Sequence, residues 1–302
     1  MKKRDFNIII VQFIKQDYNW LLKYFPHIYL LTNNSIRWNP FVFPENVDIE
    51  PESWLTDMTE VFCSINYFRA TSKPMILDAV MNCYENNMKK ITFAAIENEI
   101  KKTESAKKGS RTSDVYHAIN ARFKSFIRSP ALNSENIFPV GFWRKNDIIL
   151  DLKGMETFSA TTFVVCLIQA LTLCNEADNV RNKLSTLFIC DESYMLFKRT
   201  KAYEEISTQE PLENLLRTMR QPGIGLISGA QNKNSVSTVL IENSSHFFTF
   251  RTPPECKKET QQLFGLSNDQ ADYLMQLPKK AVGVARVANY TEPFIFRVPE
   301  HV

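Results

Sequence analysis

Glycine is scarce in this chain, 8 of 302 residues, under half the roughly 7% of ordinary proteins. None of the eight is followed by lysine, so no GxxxxGK[ST] loop exists to cradle nucleotide phosphates with backbone N–H groups and a lysine. The six cysteines (Cys63, Cys83, Cys166, Cys174, Cys190, Cys256) form no CxxC pair, which argues against a zinc ribbon and for reduced core thiols. The four histidines (His27, His117, His246, His301) show no metal-ligand spacing. A GxSxG elbow for an acyl-transfer serine is missing too. The longest mostly apolar stretch, Thr161 to Cys174, falls short of the ~20 residues that cross a bilayer. The basic start MKKRDFNIIIVQF has only a short apolar run and no small-residue cleavage site. No transmembrane segment or leader is expected, and a cytoplasmic location follows.

What is present reads as globular. Hydrophobic residues make up 44% and charged residues 23%, with a net charge of +3, a composition that excludes a disordered or fibrous chain. Phe6 to Ile14 and His27 to Leu31 read as strands, with a helix over Asp17 to Phe25 between them. Helical patterns fill the region from Pro51 to Ser129. There Met88 to Arg128 holds ten Lys/Arg against four Asp/Glu, either a solvated face or a phosphate-facing surface.

From Asp147 the pattern turns to alternating strands and helices. IILDL (148–152), LSTLFIC (184–190), GIGLISG (223–229) and His246 to Phe250 are strands. Ser159 is the expected N-cap of a helix through Cys174. Helices are expected over Glu210 to Arg220, Val236 to Asn243 and up to Gln276. Ala281 to Val287 and Pro293 to Val298 read as closing strands. Apolar strands separated by helices imply an α/β fold with a mainly parallel sheet.

Chemistry concentrates in the second half. LFICDES (187–193) delivers Asp191 and Glu192 at the exit of an apolar strand, the edge where open α/β sheets bind ligands. Adjacent acids suit nucleotide hydrolysis, one holding Mg²⁺ through water and the other orienting the attacking water. The plain alternative is that Asp191 caps the next helix and Glu192 is solvated. RTMRQPGIGLISGAQ (217–231) adds Arg217 and Arg220 at a helix end and Gln231 at a strand exit. Arg251 ends the following strand. Helix-end arginines are commonly ordinary surface charges, but three successive strands ending in an acid pair, a glutamine and an arginine form a pattern.

In that order and spacing the chain resembles the HerA/FtsK superfamily of ring-forming P-loop ATPases, near HerA-type DNA translocases and the ATPases of conjugative type IV secretion. LFICDES resembles the Walker B strand, and RTMRQPGIGLISGAQ the family's arginine-glycine-strand-glutamine segment. IRWNPFVFP (36–44) resembles its Asn-Pro turn, DIILDLKGM (147–155) its strand before a long helix, and QLPKKAVGVARVANYTEPFIFRVPE its leucine-proline turn and closing hairpin. The resemblance implies one RecA-like domain over 1–302 with a helical insertion at 51–145 and a C-terminal β hairpin. It implies ATP and Mg²⁺ as cofactors, Asp191 as Mg²⁺ support, Glu192 as catalytic base and Gln231 as γ-phosphate sensor. It assigns Arg220 to the neighbouring subunit's site, with Arg251 as a second candidate. A homo-oligomeric ring, commonly a hexamer, double-stranded DNA and secretion or DNA-processing proteins are the implied partners, at a cytoplasmic site peripheral to a membrane transfer complex.

The departures are specific. Where the family strand ends in aspartate before a lysine-glycine-acid-tyrosine turn, Phe13 replaces the aspartate and Gln16 the glycine, while Lys15, Asp17 and Tyr18 fit. The P-loop has no counterpart. The expectation is a motor domain truncated before residue 6, inactive as an isolated chain. The alternative is a degenerate, non-catalytic scaffold or ring partner.

Overall fold

Long apolar runs dominate the central strands of the main sheet because these are covered on both faces. The computed structural model describes residues 4–86, 91–106, 110–134, 137–192, 195–196, 210–230, 237–277 and 282–299. They fall into two compact units, Met1–Val239 and Leu240–Val302.

The first unit is built on a five-stranded parallel sheet of order β2-β3-β1-β4-β5. Its strands are β1 (Asn7–Gln12), β2 (Tyr29–Thr32), β3 (Ile148–Asp151), β4 (Thr186–Cys190) and β5 (Ile224–Ser228). Register aligns Ile9 with Ile148 on one side and with Phe188 on the other, and Cys190 with Ser228. The central strand is tied down at its start by Asn7. Its amide donates to the carbonyls of Trp143 and Asn146 at 2.8 and 2.9 Å and accepts from the Thr186 hydroxyl at 2.8 Å, so a buried polar side chain is fully paired.

Helices α2 (Pro51–Ile65), α3 (Ser72–Asn86), α4 (Phe93–Ala106), α5 (Ser110–Arg128) and α6 (Val140–Lys145) belong to this unit. Much of the chain's phenylalanine is spent on packing them. Phe62 lies 5.3–5.8 Å, centroid to centroid, from Phe41, Phe68, Phe93, Phe123 and Phe126. The Asn-Pro turn proves to be an anchor in the same core. The buried Asn39 donates to the Ile91 carbonyl at 2.8 Å and accepts from the Phe41 amide at 3.0 Å, while Trp54 Nε1 donates to the Pro40 carbonyl.

Helix α7 (Thr157–Ala177) is apolar around its whole circumference, as a fully covered core helix is. Its 21 residues are long and apolar enough to cross a membrane, longer than the apolar stretch visible in the sequence. Within the unit, however, it is packed among side chains such as Trp38 and Trp143, both in edge contact with Phe163. Its N-cap is Glu156, whose carboxylate accepts from the Ser159 amide at 2.9 Å. The expected cap, Ser159, is instead inside the first turn, where its hydroxyl meets Ser125 Oγ at 3.1 Å. A second local expectation is also shortened. Helix α1 is only Leu21–Tyr24, because the buried Gln12 side chain accepts from the Tyr18 amide and donates to Asn19, holding residues 17–20 in turns.

The second unit joins β6 (His246–Thr249), β7 (Val282–Val287) and β8 (Phe294–Arg297) into an antiparallel sheet. After α8 (Glu210–Thr218) and the short α9 (Thr238–Glu242), helices α10 (Lys257–Phe264) and α11 (Asn268–Gln276) supply this unit's core with Phe264 and Leu274, joined by Leu266 between them and Val284 from the sheet. The closing hairpin is present as expected. The strand at 246–250 is not a further parallel strand after β5: it pairs antiparallel with β7.

Candidate functional site

The parallel strands all point their C-terminal ends to one edge, and Asp191 and Glu192 follow β4 there. The neighbouring β5 is held close by glycine. Gly229 donates its N–H to the Cys190 carbonyl at 2.8 Å. A Cβ on Gly229 would meet Asp191 Oδ1 at 2.5 Å, its carbonyl oxygen at 2.8 Å and its Cα at 3.2 Å. The carboxylate could rotate away; the backbone could not. Gly229→Ala is therefore expected to cost about 1–3 kcal/mol, the usual penalty of overpacking, read as a lower denaturation midpoint. An unchanged midpoint would mean that the two strand exits are loosely joined.

At the start of β5, glycine solves a different problem. Gly223 adopts φ +83°, and a Cβ there would lie 2.2 Å from the Lys183 carbonyl oxygen. Pro222 offers its carbonyl to the buried Asn175 amide at 2.9 Å. The Arg-Gln-Pro-Gly segment thus locks β5 against β4 and α7.

The turn after β1 comes to the same place. The Tyr18 phenol has a raised pKa, chiefly from burial and then from the nearby charges of Asp191 and Asp17. Lys15, Asp17 and Tyr18, singled out in the sequence, are on a turn that approaches the acid pair. Gln16 uses its amide on the Asp151 carboxylate, which also accepts the Lys153 N–H at 3.2 Å. Asp151, at the end of β3 and only 4% exposed, escapes sequence reasoning: in DIILDL it looks like a solvated strand end. Beside the acids, burial pushes the Cys190 thiol up to about 12 and so favours its neutral form.

A magnesium ion fits this edge in one manner only. Among the described residues no three His, Cys, Asp or Glu side chains gather closely enough to form a protein cage. Mg²⁺ in phosphoryl-transfer sites needs one or two carboxylates, with water and phosphate oxygens completing its shell. Asp191, exposed at the strand exit, can be that carboxylate.

The remaining sequence candidates are dispersed. Arg220 is exposed in the turn before β5, its carbonyl accepting from the Gly223 N–H at 3.1 Å. It therefore lies at the edge of the sheet opposite Asp191, which leaves β4 level with the end of β5, and the four steps of about 3.3 Å along β5 put roughly 13 Å between those edges. Arg217 pairs with Glu213 on α8 (Glu210–Thr218). Gln231 lies outside the described residues. Arg251 follows β6 in the second unit and is exposed. Within the basic stretch 88–128, Lys101 and Lys102 pair with Glu97 and Glu99 on α4. Arg122 is half-buried over the rings of Phe68 and Phe158. These three cations are engaged inside the unit.

No protein-family model and no curated protein matches this sequence. Solved structures do. VirB4 of Thermoanaerobacter pseudethanolicus superposes with a TM-score of 0.71 at 13% identity, over 98% of this chain and 82% of that one. The bacterial conjugative coupling protein TrwB, in a trigonal form with sulphate, gives 0.68 at 9% identity, over 97% and 78%. TrwB in complex with ADP and Mg²⁺ gives 0.59 at 8% identity, over 97% and 84%. At these identities the likeness is one of fold: a parallel RecA-like sheet covered by helices, as in HerA/FtsK-type P-loop ATPases.

Proposed function

We propose that this chain is the body of an ATP-driven ring motor of the DNA-translocating or conjugative-transfer kind, lacking within its 302 residues the loop that grips the phosphates. The acid pair at the exit of β4, pressed against the exit of β5 through Gly229, is the observation that carries this reading. In it, Asp191 is the residue that would hold Mg²⁺, which would supply neutralisation of charge on the transferred phosphoryl group. Glu192 takes the proton of the attacking water, and Gln231 donates its amide to the γ-phosphate. Arg220 works in trans, since it precedes β5 at the edge of the sheet opposite the one where the acids leave the neighbouring β4; a neighbouring copy brings it to a site. Arg251 is the second candidate for that role. A ring of six copies, double-stranded DNA in its channel, and a cytoplasmic position beside a membrane transfer complex with its secretion proteins complete the proposal.

The missing phosphate loop has a natural point of attachment. Among the described residues β5 is an edge strand of the sheet, its sequence IGLIS carries no charge, and Ile227 is 54% exposed. Unprotected apolar edges accept strands. A parallel strand added there would deliver its following loop two strand spacings, about 10 Å, from the acids. Added beyond β2 it would arrive four spacings away, about 19 Å.

The test is ATP turnover by the purified chain, alone and with a polypeptide carrying an apolar strand followed by GxxGxGK[ST]. No Mg²⁺-dependent hydrolysis alone and its appearance on complementation are expected; hydrolysis by the chain alone would overturn the incomplete-motor reading. A second reading, a non-catalytic scaffold, draws on Phe13, 7% exposed where the family has an aspartate, and on Gln16, committed to Asp151. Failure of complementation together with incorporation into rings of an active relative would favour it.

A further inference from the structure

A recess occupies the same edge of the sheet. Adjacent strands β1 and β4 send the chain in opposite directions, β1 towards β2 and β4 towards β5. Such a switch opens a crevice between their connections in α/β sheets. Here it becomes a cavity of about 320 Å³ whose walls include Phe13, Ile14, Leu152, Lys153, Met155 and Met195, closed by the first turn of α7. The volume is at the lower end of the range for small-molecule sites.

Its chemistry is one-sided. Among the described residues no carboxylate lines it, Lys153 is the one charged lining residue, and most other walls are apolar. The positive end of α7 is already taken by the Glu156 carboxylate, and Asp151 is committed to Gln16 and the Lys153 N–H. Lys153 is thus the lining group that would select an anion. Met195 is fixed on both sides, its carbonyl accepting from the Thr161 hydroxyl at 3.1 Å and its N–H donating to the Glu192 carbonyl at 2.9 Å. Its thioether and that of Met155 are soft surfaces that adapt to flat or branched apolar groups. Phe13 keeps the inner wall apolar, and Ile14, 50% exposed, stands at the mouth.

We propose that this cavity binds a small apolar molecule bearing a single anionic group, its body between Phe13, Met155 and Met195 and its anion on the Lys153 ammonium. The proposal stands whether or not the chain is a motor.

The experiment titrates 1-naphthoate, and neutral 1-naphthalenemethanol as its uncharged counterpart, into the full chain labelled at methionine methyls. Met155→Leu and Met195→Leu assign the two signals. Saturable shifts of both methyls with 1-naphthoate are expected. Lys153→Gln should weaken 1-naphthoate about tenfold, the scale of one charge-assisted hydrogen bond, and leave 1-naphthalenemethanol within about twofold. Ile14→Glu, a change at an exposed position, should weaken 1-naphthoate alone by setting a like charge at the mouth. Absence of shifts at millimolar probe, shifts confined to other methionines, or equal 1-naphthoate affinity in wild type and Lys153→Gln would each overturn the proposal.

Discussion

Once the phosphate loop is supplied, Glu192→Gln is expected to lower ATP turnover about 100- to 10 000-fold, the range over which a positioned general base acts. The substitution keeps the side chain's size and removes only its capacity to take a proton. The structural contact of this residue, its carbonyl accepting the Met195 N–H at 2.9 Å, belongs to the backbone and survives. The melting temperature should therefore hold while turnover collapses. Asp191→Asn should act differently, raising the Mg²⁺ concentration needed for half-maximal rate, because an amide holds the ion's water shell more weakly than a carboxylate. Turnover within a few-fold of wild type in Glu192→Gln would remove Glu192 from the chemistry and leave the acid pair as a solvated strand end.

For stability, the largest expected effect is at Phe62. Truncation to alanine should cost about 3–5 kcal/mol, the range for large aromatic residues in packed cores, against the roughly 5–15 kcal/mol that holds typical domains folded. Phe62 has no solvent exposure and meets five other phenylalanine rings drawn from α3's flank, α4, α5 and the Asn-Pro turn. Its loss opens a void bounded by elements that cannot all close in together. Urea denaturation followed by tryptophan fluorescence measures it, since Trp54 is buried in the same helix. Phe62→Leu, which keeps most of the volume, should lose clearly less. A loss under about 1 kcal/mol in Phe62→Ala would show that the helices relax into the space, contrary to close packing.

The parallel sheet was legible because its central strands are covered on both faces: IIIV, IIL and LFIC read as unbroken apolar runs whatever lies next to them. Asp191 and Glu192 were legible because a charge pair directly after such a run marks a strand exit. The helix cap was not. Glu156 and Ser159 are both chemically able to cap, and the choice depends on where the turn after β3 leaves the chain. Helix α1 was overestimated for a related reason. A propensity count over residues 17–25 does not see Gln12, a buried amide that takes the Tyr18 N–H for itself.

By itself, then, the sequence determined the class of fold, the position of the acid pair and the lack of a glycine-lysine loop. All three are written in contiguous residues. Only the tertiary structure decided that Gly229 presses on Asp191, that Arg220 and the acids lie at opposite ends of the neighbouring strands β5 and β4, that the strand at 246–249 pairs antiparallel with β7, and that Phe13 walls a cavity. Each of these joins residues distant in sequence. Burial periodicity reports how much of a segment is covered, but not which partner covers it. That is set by which strand edges and helix faces remain free once the rest of the chain has packed.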